Sequence, residues 1–559
     1  MNSISDTAKK NYDKWLSYNE LDEKLKYELK HLKQSQIEEL FCKYLQFGTG
    51  GLRGVMGVGT NRINIYTIRK ITEGYARWID NQKSDAKRKG IVISYDNRHY
   101  SKIFAIESAK VLARHNIKTF IFSDLRPTPE LSFAIREYCA FGGIAITASH
   151  NSAEYNGYKI YDNTGCQCVL KYTDEIIKYI DTVEDELTIE VGNKEQCGNY
   201  ISTVDCLIDE LYYKRVLDIQ LHPELDKSNL KIVFTPQHGT TGIPVQTVLN
   251  MAGYTVLPVN NQMNPDPDFT NTKDPNPENP LSFEEAMKIA KKNDADCILS
   301  TDPDGDRVAV VVKHRESFIY LTGNQLGAIL LNYIIEERYS LKTMPKNPIV
   351  YNTIVTSGLG DFICQKYGIP VQKTLTGFKF IGEKIKNIEG SDINFLFAYE
   401  ESCGYLISDM VRDKDGIQAS LFVCEVVNFY KKKNKSLIDV LNELYSEFGN
   451  YLDIQKSVKI DSSNASKKIN DLISKIRCNS NVVIDGQRVI KIEDFENGIC
   501  IENNKISKLN YPKSKVVKLY LEDKSWVAVR PSGTEPKIKF YFFDKGHNLL
   551  RVMEDFLNG

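Results

Sequence analysis

A serine in the first third of the chain lies among side chains that can move protons or phosphoryl groups. Residues 147–151 read TASHN and residues 156–159 read NGYK, so a hydroxyl, an imidazole, amides and an amine surround one glycine-containing turn. A hydrolytic serine usually lies in a GxSxG elbow, which this segment does not match. The segment, with Ser149 close to His150 and Lys159, therefore favours a role for Ser149 as a phosphorylated serine that faces a divalent metal ion.

An acidic turn, DPDGDR over residues 302–307, provides a candidate metal site. Asp302, Asp304 and Asp306 stand at alternate positions, from which three carboxylates can converge on one hard cation. An EF-hand is excluded, because the sixth position of a loop that starts at Asp302 is Arg307 rather than glycine, and the twelfth is lysine rather than glutamate. The few protein ligands favour Mg²⁺, with room for an oxygen of the seryl phosphate.

Two further segments are suited to phosphate. Residues 47–54 read FGTGGLRG, in which the glycines allow close backbone approach and Arg53 offers a guanidinium. Residues 530–537 read RPSGTEPK and place a guanidinium, two hydroxyls and backbone N–H groups close together. The groups concerned in this second segment belong to Arg530, Ser532, Gly533 and Thr534.

A third set of polar residues is suited to the hydroxyl groups of a sugar. Glu400 and Ser402 follow an apolar run, and their oxygens can hydrogen-bond vicinal hydroxyls. Each of these residues alone is equally compatible with an ordinary turn. The residues that lie nearby in the sequence are Thr376, Gly377, Lys379 and Lys414.

Short apolar runs precede these motifs, as expected if the motifs lie at the ends of strands. Alternating with amphipathic segments, they predict strands at 90–94, 119–122, 143–146, 231–234, 254–257, 297–300, 349–351 and 394–398. Ligands of open α/β sheets bind beyond the carboxyl ends of the strands, so three such domains can direct three loops at one cleft. The segment 264–280, rich in Pro, Asn and Asp, is predicted to be an ordered loop of the second domain.

The length of 559 residues and the changing pattern predict several domains. Apolar spacing and a capping-box pattern at Ser35 and Glu38 predict an N-terminal helical segment. Strand-like alternation follows residue 452 and indicates a separate α+β domain. The expected limits are 1–45 for the helical segment, 46–203, 204–315 and 316–452 for three α/β domains, and 453–559 for the α+β domain.

The composition excludes several classes of protein. Lys+Arg 72 against Asp+Glu 73 leaves a net charge of -1, without the basic excess of nucleic-acid or membrane-surface binders. The longest apolar runs are too short to span a bilayer, and the first ten residues lack the apolar core of a signal peptide. The 12 cysteines show no repeated CxxC, so we expect reduced thiols in a cytoplasmic protein without nucleic-acid or membrane partners.

Taken together and in this order, the motifs resemble the α-D-phosphohexomutase superfamily, and more closely its phosphoglucomutase branch of bacterial and phosphoglucomutase-2-like proteins. The resemblance extends from the Arg53 segment to the Arg530 segment. It implies three similar mixed-sheet α/β domains and a C-terminal α+β domain around a central cleft. It also implies Mg²⁺ as cofactor and glucose 1,6-bisphosphate as the activator that primes the serine.

The resemblance assigns a role to each motif. It makes Ser149 the phosphoserine, and the three aspartates the metal ligands together with the seryl phosphate. Arg53, His150, Lys159 and Arg307 would surround the reacting groups. The substrate would be bound by Thr376, Gly377, Lys379, Glu400, Ser402, Lys414, Arg530, Ser532, Gly533 and Thr534.

The implied activity interconverts α-D-glucose 1-phosphate and glucose 6-phosphate through a bisphosphate intermediate, with sugar phosphates as partners of a monomer or weak homodimer. Tyr399 before Glu400 and Tyr405 after Gly404 depart from the glycine and histidine of phosphomannomutase/phosphoglucomutase relatives, which leaves the sugar open. A phosphopentomutase, a phosphomannomutase and a bisphosphate synthase are therefore alternatives. A non-catalytic sugar-phosphate sensor is another, although it would tolerate loss of the nucleophile or a metal ligand, and all of these are present.

Overall fold

The structure is a computed structural model of the chain and describes residues 4–48, 51–83, 85–459, 474, 483–484, 487–503, 505–531 and 537–546. Three helices come first: α1 (Asp6–Ser17), α2 (Glu23–Lys30) and α3 (Gln34–Phe41). The capping box expected at Ser35 and Glu38 is wrong, because α3 already begins at Gln34. The Glu38 carboxylate instead accepts a hydrogen bond from the Ser5 backbone at 2.8 Å, and so joins α3 to the start of α1.

The first sheet has six strands in the order β1-β5-β4-β2-β3-β6. The strands β4, β2, β3 and β6 run parallel to one another, whereas β5 is antiparallel to both of its neighbours, β4 and β1. The strands are β1 (Leu52–Val55), β2 (Ile91–Tyr95), β3 (Thr119–Ile121), β4 (Gly142–Ile146), β5 (Tyr155–Asp162) and β6 (Ile201–Thr203). The helices are α4 (Ile65–Asp80), α5 (Ala86–Lys89), α6 (Ser101–Arg114), α7 (Thr128–Glu137), α8 (Leu170–Asp181) and α9 (Lys194–Tyr200).

The second sheet has the order β11-β10-β9-β7-β8 and is also mixed. Its strands are β7 (Ile232–Thr235), β8 (Val256–Pro258), β9 (Cys297–Thr301), β10 (Val308–His314) and β11 (Ser317–Leu321). The pairing of β11 with β10 carries this sheet beyond residue 315, the predicted end of the second domain. The helices are α10 (Leu207–Leu217), α11 (Gly242–Met251), α12 (Asn260–Met263) and α13 (Glu284–Asn293), with a 3₁₀ turn at Pro280–Phe283.

The third sheet has the order β13-β12-β14-β15, with β15 antiparallel to its neighbour. Its strands are β12 (Pro348–Thr353), β13 (Val371–Thr374), β14 (Asn394–Glu400) and β15 (Gly404–Leu406). The helices are α14 (Gly323–Ser340), α15 (Leu359–Lys366), α16 (Phe378–Ile388), α17 (Gly416–Lys432) and α18 (Leu437–Phe448).

The three sheets share one topological feature that positions the sequence motifs. In each, a strand that runs parallel to its neighbour is followed by a short loop and an antiparallel strand: β4 and β5, β9 and β10, β14 and β15. We call the three connections the serine loop (147–154), the acidic loop (302–307) and the third loop (401–403). All three therefore leave the carboxyl end of a parallel strand, where ligands of such sheets bind.

The fourth sheet is antiparallel and has the order β16-β23-β22-β21-β18-β19-β20, with β17 paired to β18. One face packs on a core of alternating residues such as Val527 and Phe540, and the other packs against Ile354 of the third unit. The strands are β16 (Leu452–Lys459), β17 (Val483–Ile484), β18 (Gln487–Asp494), β19 (Ile499–Glu502), β20 (Lys505–Lys508), β21 (Val517–Leu521), β22 (Trp526–Pro531) and β23 (Lys537–Asp544).

The expected fold class is confirmed, with three mixed-sheet α/β units followed by a C-terminal sheet domain. A single apolar core runs through the second and third units and reaches one face of the first sheet. Within the described part of the chain, no helix combines the length and apolarity needed to cross a bilayer. The 11 described cysteines are all free, and most of them are buried.

Candidate active site

A cleft of about 680 Å³ lies where the first three units meet strands of the fourth sheet. Asp302 and Asp304 are buried and do not line it. Ser532, Gly533 and Thr534 lie outside the described residues. The other predicted site residues all line this cleft: Arg53, Ser149, His150, Lys159, Asp306, Arg307, Thr376, Gly377, Lys379, Glu400, Ser402, Lys414 and Arg530.

Ser149 stands at the tip of the serine loop in a left-handed backbone conformation, with φ of 53°. Its backbone N–H donates to Thr147 Oγ1 at 2.8 Å, which stabilises a turn that a non-glycine residue rarely adopts. Its hydroxyl donates to Asp302 Oδ2 at 3.0 Å and lies 3.2 Å from His150 Nδ1. Burial and the nearby guanidinium groups hold the pKa of His150 well below its ordinary value, so its imidazole is neutral at physiological pH.

Arg98 holds the serine loop from beneath, and the sequence analysis missed it. Its guanidinium is buried and pairs with Asp96, at 3.2 Å between Nε and Oδ2. The same guanidinium donates to the Ser149 carbonyl at 2.6 Å. Its other acceptors are the carbonyls of Asn151 and Ser152 in the same loop and of Tyr155 at the start of β5. A side chain that binds backbone oxygens leaves no motif, although its place just after β2 was a usable signal.

Gly157 brings Arg53 to the serine. In the β1–β5 pair, Arg53 stands opposite Gly157. A Cβ atom at Gly157 would lie 2.4 Å from the Thr147 carbonyl and 2.7 Å from that of Leu52, so only glycine permits this close approach of three backbone segments. From there Arg53 Nη1 donates to Asn151 Oδ1 at 2.9 Å.

The three aspartates of the acidic loop converge as predicted. One carboxylate oxygen of each lies within 4.8 Å of the others, and all three side chains are buried. Burial and the two neighbouring carboxylate charges raise the pKa of Asp302 well above its ordinary value. Among the described residues, Oδ1 of Asp304 and Oδ1 of Asp306 have no hydrogen-bond partner. A buried, oxygen-only donor set with unpartnered oxygens fits a hard divalent cation such as Mg²⁺.

Two lysines balance part of this negative charge. Lys159 Nζ lies 2.8 Å from Asp304 Oδ2, and Lys414 Nζ lies 2.8 Å from Asp306 Oδ2. Burial opposes ionisation of Asp304, but the Lys159 ammonium lowers the pKa of its carboxyl. Lys414, which was predicted only as a substrate-binding residue, therefore also contacts the acidic loop.

The acidic loop is gripped by the units on either side of it. Thr128, at the start of α7, donates its backbone N–H to the Asp304 carbonyl at 2.9 Å. Gly416, at the start of α17, donates to the Gly305 carbonyl at 3.1 Å. These backbone contacts from the first and third units fix the loop relative to Ser149.

Arg307 follows the last aspartate and points to a partner that the sequence analysis missed. Its Nη1 donates to Glu278 Oε1 at 2.7 Å, and Glu278 belongs to the loop predicted at 264–280. That segment is an ordered, irregular loop of the second unit, as predicted. It also brings Asp274 and Asn276 into the cleft wall.

The third unit contributes hydroxyl- and anion-binding groups. Glu400, at the end of β14, is buried, and Ser402 lies beside it in the third loop. Gly377, with φ of 110°, caps α16, so Thr376 and Lys379 lie at the N-terminus of that helix. Helix N-termini favour anions. Burial lowers the pKa of Lys379 to about 8.

The fourth sheet turns a row of polar side chains toward the cleft. Arg530 stands opposite Lys539, and Lys539 stands opposite Ser457 on the next strand. Gln455 and Tyr541 form the neighbouring pair. Of these five residues the sequence predicted Arg530 alone. Ile538 and Phe540 lie in the core of the sheet, so strand alternation assigns Lys539 and Tyr541 to the opposite face.

Three family descriptions match consecutive parts of the chain. They are the phosphoglucomutase/phosphomannomutase alpha/beta/alpha domains I, II and III, over residues 44–187, 210–315 and 322–448. The chain belongs to the phosphoglucomutase/phosphomannomutase family. This confirms the resemblance found in the sequence.

Relatives in this family match over most of their length. A phosphoglucomutase of Staphylococcus aureus is 37% identical over 514 residues, which is 91% of both chains. A phosphoglucomutase of Staphylococcus epidermidis is 36% identical over 502 residues, 89% of this chain and 90% of the relative.

Solved structures show the same fold. The open form of pp63/parafusin from Paramecium has a TM-score of 0.68 at 19% identity and covers 92% of this chain and 95% of its own. A phosphoglucomutase/phosphomannomutase family protein from Burkholderia thailandensis has a TM-score of 0.65 at 17% identity, over 92% of this chain and 96% of its own.

Proposed function

We propose that the protein is a phosphoglucomutase that interconverts α-D-glucose 1-phosphate and glucose 6-phosphate through a phosphorylated Ser149. The observation that carries the proposal is the 3.0 Å contact between Ser149 Oγ and Asp302 Oδ2, which joins the serine loop of the first unit to the acidic loop of the second. Staphylococcal relatives that cover nine-tenths of the chain carry the name phosphoglucomutase, which supports the same reaction.

Phosphoryl transfer needs positioning and charge neutralisation more than covalent assistance. Asp302, Asp304 and Asp306 would hold Mg²⁺ together with the seryl phosphate. The bound ion would neutralise charge on the transferring group. Arg53 and Arg307 line the same cleft as Ser149, and their guanidinium groups are suited to hold phosphate oxygens.

The transfer step takes place between the phosphorylated Ser149 and a hydroxyl group of the sugar phosphate. The sugar hydroxyl attacks phosphorus, the bond between phosphorus and Ser149 Oγ breaks, and the hydroxyl proton ends on Ser149 Oγ. The neutral imidazole of His150 lies 3.2 Å from that oxygen and is suited to pass the proton, while the Lys159 ammonium stabilises negative charge. The resulting glucose 1,6-bisphosphate then returns its other phosphate to the serine, and the same compound primes an unphosphorylated enzyme.

The opposite side of the cleft would hold the non-reacting end of the sugar phosphate. Glu400 and Ser402 would bind ring hydroxyls, with Thr376, Gly377, Lys379 and Lys414 around them. Arg530, with Ser532, Gly533 and Thr534, would hold the second phosphate in either orientation of the sugar. Binding at the distant end positions the reacting end.

Replacing Ser149 tests the proposal. We expect Ser149→Ala to abolish exchange and to lose the phosphate adduct in intact-mass spectrometry, while glucose 6-phosphate still binds in calorimetry. Ser152→Ala, an exposed hydroxyl in the same loop, is the matched control and should retain both. Unimpaired turnover in the Ser149 variant would refute the assignment. Rates on mannose 1-phosphate and ribose 1-phosphate, in the same assay, decide the preferred sugar.

A further inference from the structure

The loop at residues 264–279 is held rigidly even though it contains no helix or strand. The buried side chains of Gln237 and Gln262 bond its middle: Thr272 Oγ1 donates to Gln237 Oε1 at 2.8 Å, and Gln262 Nε2 donates to the Asn271 carbonyl at 2.6 Å. His238 Nδ1 lies 2.8 Å from the Asn264 carbonyl at the start of the loop. A loop tied down in this way presents its last residues in a defined position.

Those last residues place Glu278 in the cleft. The Asn276 backbone donates to Asp274 Oδ1 at 2.9 Å, and the Glu278 backbone donates to Asn276 Oδ1 at 3.1 Å. Tyr320 Oη donates to the Glu278 carbonyl at 3.4 Å from the adjoining sheet. The Glu278 backbone is therefore fixed on both sides, and its carboxylate meets Arg307 without a large loss of backbone freedom.

The orientation of the Arg307 side chain depends on the Glu278 carboxylate. Its Nη1 lies 2.7 Å from Glu278 Oε1, and both side chains are largely shielded, at 14% and 23% exposure. Its Nε lies 3.9 Å from Asp302 Oδ2 and 3.7 Å from Asp306 Oδ1, distances beyond a hydrogen bond. Within the described residues that Nε has no hydrogen-bond partner. Among the described residues, the bond to Glu278 is thus the charge-assisted hydrogen bond that orients the Arg307 guanidinium.

We propose that Glu278 is a positioning residue for phosphoryl transfer, which holds the Arg307 guanidinium where charge develops on the transferring phosphoryl group. The inference rests on the proposed function. A carboxylate in a cleft that binds phosphate dianions repels the substrate, so Glu278 weakens binding while it assists turnover. The Glu278 charge thus has an unfavourable effect on substrate binding and a favourable effect on turnover. This combination distinguishes Glu278 from an ordinary structural residue.

Glu278→Gln separates them, because glutamine keeps the shape and one acceptor oxygen but removes the charge. We expect kcat to fall about tenfold, because the hydrogen bond to the Arg307 guanidinium remains but loses its charge assistance. We expect KM for glucose 1-phosphate to fall about two- to threefold, because one repulsive charge is gone. Glu278→Asp keeps the charge on a shorter side chain and should recover part of kcat, with KM near that of the native enzyme.

The experiment measures kcat, KM and their pH profiles for the native protein, Glu278→Gln and Glu278→Asp. Glu284→Gln is the matched control, since Glu284 forms an exposed ion pair at 2.6 Å with Lys273 of the same loop. Arg307→Lys and the double variant complete a cycle, in which the Glu278 substitution should cost little once Arg307 is replaced.

Three results would overturn the inference. A higher KM with unchanged kcat would make Glu278 a substrate ligand, and loss of the acidic limb of the pH profile would make it a general base. Additive effects in the cycle with Arg307 would show that the two side chains act separately. An inactive native protein would instead reject the proposed function. Calorimetry would then still test the effect of the Glu278 charge, because glucose 6-phosphate should bind Glu278→Gln more tightly than the native protein.

Discussion

Replacing Arg98 by lysine should loosen the serine loop while the positive charge stays. The native guanidinium donates to three carbonyls of the serine loop and to one at the start of β5, and it pairs with Asp96. A lysine ammonium is a compact donor that cannot reproduce the planar fork, so it keeps part of this set. Cation–π contact with the Phe269 ring, 5.2 Å away, weakens as well.

The magnitude follows from which acceptors remain buried. The carbonyls of Ser152 and Tyr155 belong to residues that are at least partly exposed and can turn to water, whereas Ser149 is buried. Hydrogen bonds from a charged donor are worth about 1.5–3 kcal/mol each, so the loss of one costs about 1.5–3 kcal/mol. This makes the locally open state roughly 13- to 160-fold more populated.

Hydrogen–deuterium exchange of residues 147–155 measures this opening directly. A local measurement is preferable, because a chain of several domains does not unfold in two states. Arg69→Lys is the control, since Arg69 pairs with Glu107 at 2.6 Å elsewhere in the same unit. Turnover should fall with the loss of protection, while glucose 6-phosphate binding changes less.

A larger substitution tests the role of the ion pair between Arg98 and Asp96. Arg98→Met leaves the buried Asp96 carboxylate unpaired, which costs about 3–5 kcal/mol. Changing Asp96 to Asn at the same time removes that unpaired charge, so the double variant should be more stable than Arg98→Met alone. Unchanged exchange in Arg98→Lys, or a double variant less stable than the single one, would refute the reasoning.

Two further predictions concern the metal and the pH. Chelation should abolish exchange and Mg²⁺ should restore it, and Mg²⁺ at 100 times its Kd should stabilise the fold by about 2.7 kcal/mol. Asp304→Asn should lose that stabilisation, and a thermal shift that persists in this variant would place the ion elsewhere. The pKa of Lys379, lowered by burial to about 8, keeps this side chain cationic at lower pH and neutral at higher pH. KM for glucose 1-phosphate should therefore be flat below about pH 7.5 and rise above about pH 8, and Lys379→Gln should remove the rise; an unchanged profile in this variant would assign the titration to another group.

Much of the fold was predictable because its signals are local. Apolar runs identified β2, β4, β9 and β14, since a strand buried on both faces needs consecutive apolar residues. The strand at 254–257 begins two residues later, at Val256, and the helix cap at Ser35 was misplaced. Strand and helix ends depend on contacts with distant segments, such as Ser5 with Glu38.

By itself, the sequence determined the chemical groups of the site, because a hydroxyl, three carboxylates and a guanidinium are visible wherever they stand in the chain. Tertiary structure alone decided which residues support them. Arg98 acts on backbone carbonyls, Glu278 reaches Arg307 from a different loop, and Lys539 faces the cleft through strand register. None of these contacts follows from spacing along the chain, because folding brings together segments that are distant in the sequence.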